Sequence, residues 1–310
     1  VNATTAAVET FASRLSHVSL AVLALAVALH LANLLLRATA WRTTLAAALP
    51  LRSFRWRGVT GAYVAGAGVN SVVPARGGDV ARVVLASRLA PGCCCVTVAS
   101  TLLVETLLDA AVGISLAAWA VSSGAVPAGL VALRPPGGPV VTVAAGVLAA
   151  LASTLVAGRA RARARLVARE FQLGVAILSS PRAYARGVAA PQGLAWAARL
   201  ASIYCFLQAF HIDADVGQAA LVLLAGSLAT VMPFTPGGVG AQQALLVVLL
   251  SGIASPAAAV SYSLGTQFVT TVVNVALGGT CAGLMVGRMP WRARLATAEP
   301  PSLPAATSGE

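Results

Sequence analysis

Lysine is absent from this chain: all 21 basic residues are arginine. Charge of either sign is scarce, at 10% of 310 residues, where a soluble domain carries roughly a quarter. Aromatic residues make up 5% of the chain, and there are three histidines and five cysteines. These shortages exclude a soluble globular domain, whose surface needs many more ionisable side chains. The cysteines, Cys93, Cys94, Cys95, Cys205 and Cys281, lack the spacing of metal ligands or of a disulfide framework. The triplet reads as small apolar residues at a membrane boundary. His17, His30 and His211 are isolated, so no metal and no other cofactor is expected. No GxSxG, HExxH or P-loop run is present, which disfavours an enzyme. The first 17 residues carry Glu9 and Arg14 without the short apolar core of a cleavable signal, and none is expected.

What is there is apolar. Hydrophobic residues make up 58% and mean hydropathy is +0.85. Apolar runs near the length of a bilayer crossing recur, which predicts an all-α, polytopic membrane bundle. The net charge of +12 sets orientation; no basic stripe with interleaved aromatics invites nucleic acid.

Full crossings are expected at 18–38, 96–121, 140–157 and 193–212 and within 256–286. Trp41 and Arg42 read as interface anchors after the first. Leu51–Arg57 reads as a short amphipathic stretch on the bilayer surface. Val59–Val73 is short for a crossing and ends at Pro74; a helix resumes at Asp79. That pattern predicts a re-entrant hairpin, about 59–90. A second is expected at about 216–253, where Val216–Val231 stops at MPFTPGGVG. The bundle then occupies 18–290, after an N-terminal segment 1–17 and before a disordered tail 291–310. With both breaks re-entrant, nearly all loop arginines fall on one side. The positive-inside rule makes that side cytoplasmic, with the C-terminus there and the N-terminus outside.

The run NSVVPARGGDVAR, Asn70–Arg82, is echoed by MPFTPGGVG, Met232–Gly240. Each has an apolar run, a proline and a Gly-Gly pair opening a new helix. Two interrupted segments in corresponding halves point to an inverted repeat with a binding site near the midplane. A helix start offers free N–H donors and a partial positive charge, which suits an anionic headgroup. Candidate headgroup contacts are Asn70, Arg76, Gly77, Gly78, Arg82, Gly237 and Gly238. Candidate intramembrane charges are Asp79, Glu105, Asp109 and Arg199; Asp79 also fits a helix-capping role. Glu105 and Asp109 stand four apart on one helical face and are expected to pair with Arg76, Arg82 or Arg199.

These motifs together resemble the transmembrane domain family of lysylphosphatidylglycerol synthase, the bacterial aminoacyl-phospholipid synthase and flippase. The residues that carry the resemblance are Trp41-Arg42, Asn70, Pro74, Arg76, Gly78, Asp79, Arg82, Glu105, Asp109, Pro233, Pro236, Gly237, Gly238 and Gly240. The family implies seven or eight helices with broken segments and a role in moving lipids between leaflets, in the bacterial inner membrane. Its full-length members add a cytoplasmic transferase domain, which is not seen here, so no aminoacyl-lipid synthesis is expected. The chain departs from the family at Gln242 and Gln243 (often Glu), Gln267 (often Arg) and Thr106 (usually Arg). That pattern is consistent with neutral amides replacing an ion pair.

The expected function is a flippase-like lipid translocator or lipid-binding protein for a phospholipid or other anionic amphiphile. The alternative is a membrane subunit that assists a glycosyltransferase or lipid-modifying enzyme. Expected partners are phospholipid or polyprenyl-linked lipids, a partner enzyme and a second copy of the chain, with no nucleic acid.

Overall fold

The computed structural model describes residues 19–73, 77–89, 93–124, 161–229 and 241–287. Within them the chain is helical, with no strand. In order the helices are α1 (Leu20–Ala48), α2 (Trp56–Asn70), α3 (Gly77–Leu89), α4 (Cys95–Ser122), α5 (Arg161–Gly174), α6 (Ala190–Ala209), α7 (Val216–Ala229), α8 (Ala241–Leu249) and α9 (Pro256–Gly287). Three of them, α1, α4 and α9, are long and apolar enough to cross a membrane. The protein is an all-α, multi-pass membrane bundle. The expected crossing at 140–157, together with Arg76, Gly237 and Gly238, lies outside the described residues.

α2 and α3, on either side of Pro74, pack against each other. Gly58 faces Leu89, Gly66 faces Arg82 and Asn70 meets Gly78, so the two run antiparallel. They have 15 and 13 residues. At 1.5 Å per residue that is about 22 and 20 Å, short of a hydrocarbon core of ~30 Å. α7 and α8, on either side of residues 230–240, have 14 and 9 described residues.

α2 is the centre of the bundle. Every residue from Val59 to Gly66 is buried, so this helix is enclosed on all sides. Glycine makes room for that. A Cβ on Gly66 would sit 2.7 Å from the Gly78 carbonyl oxygen, and one on Gly68 2.7 Å from the Asn274 carbonyl oxygen. One on Gly278 would lie 2.8 Å from the Gly68 Cα. Small residues of this kind let backbones approach closely where no hydrophobic force drives helices together.

α1 and α6 also pack antiparallel. The Ser202 hydroxyl donates to the Ala26 carbonyl at 2.8 Å, while Trp196 lies over Arg37. The approach to α6 runs through a turn at Pro181–Tyr184 and a π turn at Ala185–Ala189. Pro191 has no N–H for the preceding turn, and the widened register lies where that bond is missing. α7 opens on a reciprocal cap: Gln218 N–H donates to Asp215 Oδ1 and Asp215 N–H to Gln218 Oε1.

One expectation is corrected. Trp41 is not an interface anchor, because α1 runs on to Ala48 and buries it at 2% exposure. Its indole N–H donates to Thr101 Oγ1 at 2.9 Å. Leu51–Arg57, expected on the surface, is exposed at every residue except Phe54. It is an irregular connection up to Arg55 that buries Phe54, whose carbonyl accepts from Arg42 Nε at 2.8 Å. The exposed Arg42, Arg52, Arg55, Arg57, Arg88, Arg182 and Arg186 gather at this end of the bundle. The cysteine triplet marks the start of α4 beside them, and burial raises the Cys93 thiol above its ordinary value.

Adjacent glycines on α9 test the packing. Gly278→Ala should cost about 1–3 kcal/mol by overpacking. Gly279→Ala has open space and should be neutral or stabilise by up to ~1 kcal/mol through helix propensity. Thermal unfolding of the two purified variants in one detergent distinguishes them.

Candidate functional site

The site begins with a stripe on α1. His30, Asn33, Arg37, Trp41 and Thr44 recur at helical spacing along one side of a mostly apolar helix. An ionised side chain at this depth costs at least ~2.5 kcal/mol on insertion scales. Arg37 meets that cost with a full set of partners. Its NH1 and NH2 grip Asp109 in bidentate fashion, at 2.9 Å to Oδ2 and 2.8 Å to Oδ1. NH1 also donates to Glu105 Oε1 at 3.0 Å, and Nε to Asn33 Oδ1 at 3.3 Å.

Glu105 is the junction. Oε1 accepts from Arg37 and from the Tyr63 hydroxyl at 2.7 Å, and Oε2 accepts from Arg82 NH1 at 3.0 Å. α1, α2, α3 and α4 therefore converge on one carboxylate. Arg82 lies 5.0 Å from the Tyr63 ring centre and 5.4 Å from that of Trp41, within cation–π range. Its Nε is 3.4 Å from Asp79 Oδ1, too poorly aligned for a hydrogen bond. α6 closes the other side: Trp196 Nε1 donates to Asp109 Oδ1 at 2.9 Å, and Gln192 Nε2 to the same oxygen at 3.3 Å.

The cluster opens at its two ends. Side-chain exposure is 9% for Arg37, 11% for Arg82 and 13% for Glu105, but 33% for Asp109 and 27% for Asp79. The polar centre is thus enclosed while a carboxylate at either end is reachable.

The expected pairing of Arg82 with Glu105 is present. Arg199 is not paired: among the described residues no carboxylate lies within 4.0 Å of it, and it stacks on Trp196 at 5.4 Å. Asn70 is turned to its own hairpin, where its Oδ1 accepts the Gly78 N–H at 2.8 Å. Gly78 packs directly against the Gly66 carbonyl, while Gly77 faces Val73. Asp79 sits in the first turn of α3, where its charge complements the helix dipole. Gln243 Nε2 donates to Gln267 Oε1 at 3.1 Å, so these two amides join α8 to α9; Gln242 turns toward Gly226. Among the described residues no three His, Cys, Asp or Glu side chains gather as a metal site.

Residues 3–278 match the family model of the lysylphosphatidylglycerol synthase TM region. The chain belongs to that family. No curated protein matches it. Membership of the lysylphosphatidylglycerol synthase TM family covers the whole site described above and makes the chain an integral membrane protein of that kind.

Sequence reasoning missed Arg37, Asn33, Tyr63, Gln192 and Trp196. The polar stripe on α1 was the available signal. Ending the first crossing at Ala38 placed Arg37 at the membrane edge, where an arginine needs no partner.

Unequal enclosure predicts unequal costs. Glu105→Gln strands parts of two buried guanidiniums and should destabilise by about 3–5 kcal/mol. Asp79→Asn loses a partly exposed pair and should cost less than ~1 kcal/mol. Chemical unfolding of the reconstituted variants measures both.

Proposed function

We propose that the protein handles phospholipid headgroups within the membrane, as a flippase-like translocator. The observation that carries this reading is the polar cluster itself. It places three carboxylates and three arginines among helices whose outward faces are apolar, and it is reachable at Asp79 and Asp109. A headgroup could be held there while its acyl chains stay in the bilayer. The short helices support the reading, because arms that do not cross leave broken backbone only where protein or a wet cavity satisfies it. On this proposal the headgroup enters at the α2–α3 break, beside Asn70, Arg76, Gly77 and Arg82. Gly237 and Gly238, outside the described residues, are proposed as the backbone donors from the second half. Arg82 acts there through its field, since its NH1 is held by Glu105. The arginine-rich end is the cytoplasmic one of a bacterial inner membrane. α9 ends near it, with Met285 against Gly61 close to the start of α2, and on this proposal the C-terminus is cytoplasmic.

Purified protein in liposomes carrying a fluorescent phospholipid should speed exposure of inner-leaflet label to a membrane-impermeant quencher. Arg82→Gln with Glu105→Gln together should return the rate to that of protein-free vesicles. A wild-type protein that never exceeds the protein-free rate contradicts transport.

A further inference from the structure

We propose that Arg199 is the phosphate contact of this site, taking the phosphodiester of a phospholipid headgroup. The assignment rests on the lipid-handling reading above and goes beyond it by naming the receiving group.

Register fixes where Arg199 lies. Ser202 meets Ala26 and Trp196 meets Arg37 across the antiparallel α1–α6 pair. Arg199 falls between these contacts, level with His30, well inside the crossing length of α1. A guanidinium there needs a counter-charge, yet among the described residues no carboxylate lies within 4.0 Å of it. A carboxylate offers about four lone-pair sites. Those of Asp109 receive Arg37 NH1 and NH2, Trp196 Nε1 and Gln192 Nε2. Both Glu105 oxygens are held by Arg37, Tyr63 and Arg82.

His30 offers no acceptor through its bonded nitrogen either. The Ser71 hydroxyl donates to the Ala67 carbonyl, so its oxygen accepts from Asn274 Nδ2 at 3.1 Å. Asn274 Oδ1 therefore faces His30, whose Nε2 must be the donor across 2.9 Å. The chain of bonds runs from His30 away from Arg199, and the other ring nitrogen, Nδ1, takes no hydrogen bond from Arg199.

Trp196 explains how the free guanidinium is held. Its ring carries Arg37 at 5.6 Å and Arg199 at 5.4 Å, while its N–H is fixed on Asp109. Stacking orients the guanidinium plane and leaves its fork of N–H donors unengaged. A planar fork matches the oxygens of a phosphate two at a time. Arg37 and Arg82 are shared among Asp79, Glu105 and Asp109, whereas Arg199 is the arginine of the cluster with no carboxylate within 4.0 Å and no hydrogen bond among the described residues.

The test uses the full chain in detergent and three probes: a short-chain phosphatidylglycerol, the matching diacylglycerol and inorganic phosphate. Arg199→Gln should weaken phosphatidylglycerol binding by roughly tenfold or more. It should leave the weak binding of diacylglycerol unchanged, and Arg199→Lys should retain part of the affinity. Without lipid, Arg199→Gln should melt no lower than wild type, because it removes a charge that has no internal partner. Equal phosphatidylglycerol affinity in wild type and Arg199→Gln overturns the assignment. So does a lowered lipid-free melting temperature, which would reveal a partner within the protein. Inorganic phosphate binding as tightly as the lipid makes this a soluble-anion site and overturns the lipid as its source. If the wild type binds phosphatidylglycerol through Arg199 yet moves no lipid, transport fails and the assignment stands. If it moves lipid while Arg199→Gln binds normally, the assignment alone fails.

Discussion

The contact of Arg37 with Glu105 and Asp109 is the interaction on which the rest depends. In hydrocarbon, charge is tolerated only where its partners are already in place. Glu105 and Asp109 stand one turn apart on α4, and one arginine of α1 spans both. Tyr63 from α2, Arg82 from α3 and the Gln192–Trp196 turn of α6 then satisfy the lone pairs that remain. Five helices are therefore fixed around two carboxylates. Apolar contact with lipid could not specify this, since lipid tails are as apolar as the side chains they would touch.

The second constraint is closeness. Arg82 reaches Glu105 because α3 lies directly on α2, and α3 lies there because Gly66 and Gly78 have no side chains between their backbones. The same device at Gly68 and Gly278 brings α9 against the opposite side of α2 and carries Asn274 to Ser71 and His30. The two helices that flank Pro74 are thus packed into the core. Asn70 ends α2 by accepting the Gly78 N–H that opens α3, so the hairpin closes on its own backbone.

The helical class and the span of α4 were legible in the sequence, because length and hydropathy mark them directly, while Arg82–Glu105 was one of three pairings that the sequence left open. Arg37 was not legible. A positive residue near the end of an apolar run looks the same whether it reaches water or turns inward; only the continuation of α1 to Ala48 decides it. Trp41 was misjudged for the same reason. An indole after an apolar run suits an interface, but here a hydroxyl on the neighbouring helix, Thr101, takes its N–H. Arg199 was recognised as intramembrane, but its lack of a carboxylate partner among the described residues is a property of packing that spacing does not carry. Pairing between distant helices depends on which faces meet, and periodicity on a single helix leaves that open.

The central claim is that these charges act as one coupled set. A double-mutant cycle between Arg37→Met and Asp109→Leu, read as unfolding free energy in a fixed lipid environment, tests it most directly. Each single change should strand a buried partner, and the double variant should be less destabilised than the sum of the two by about 2 kcal/mol or more. Additivity within ~0.5 kcal/mol would show that Arg37 and Asp109 do not depend on each other, and would contradict the account.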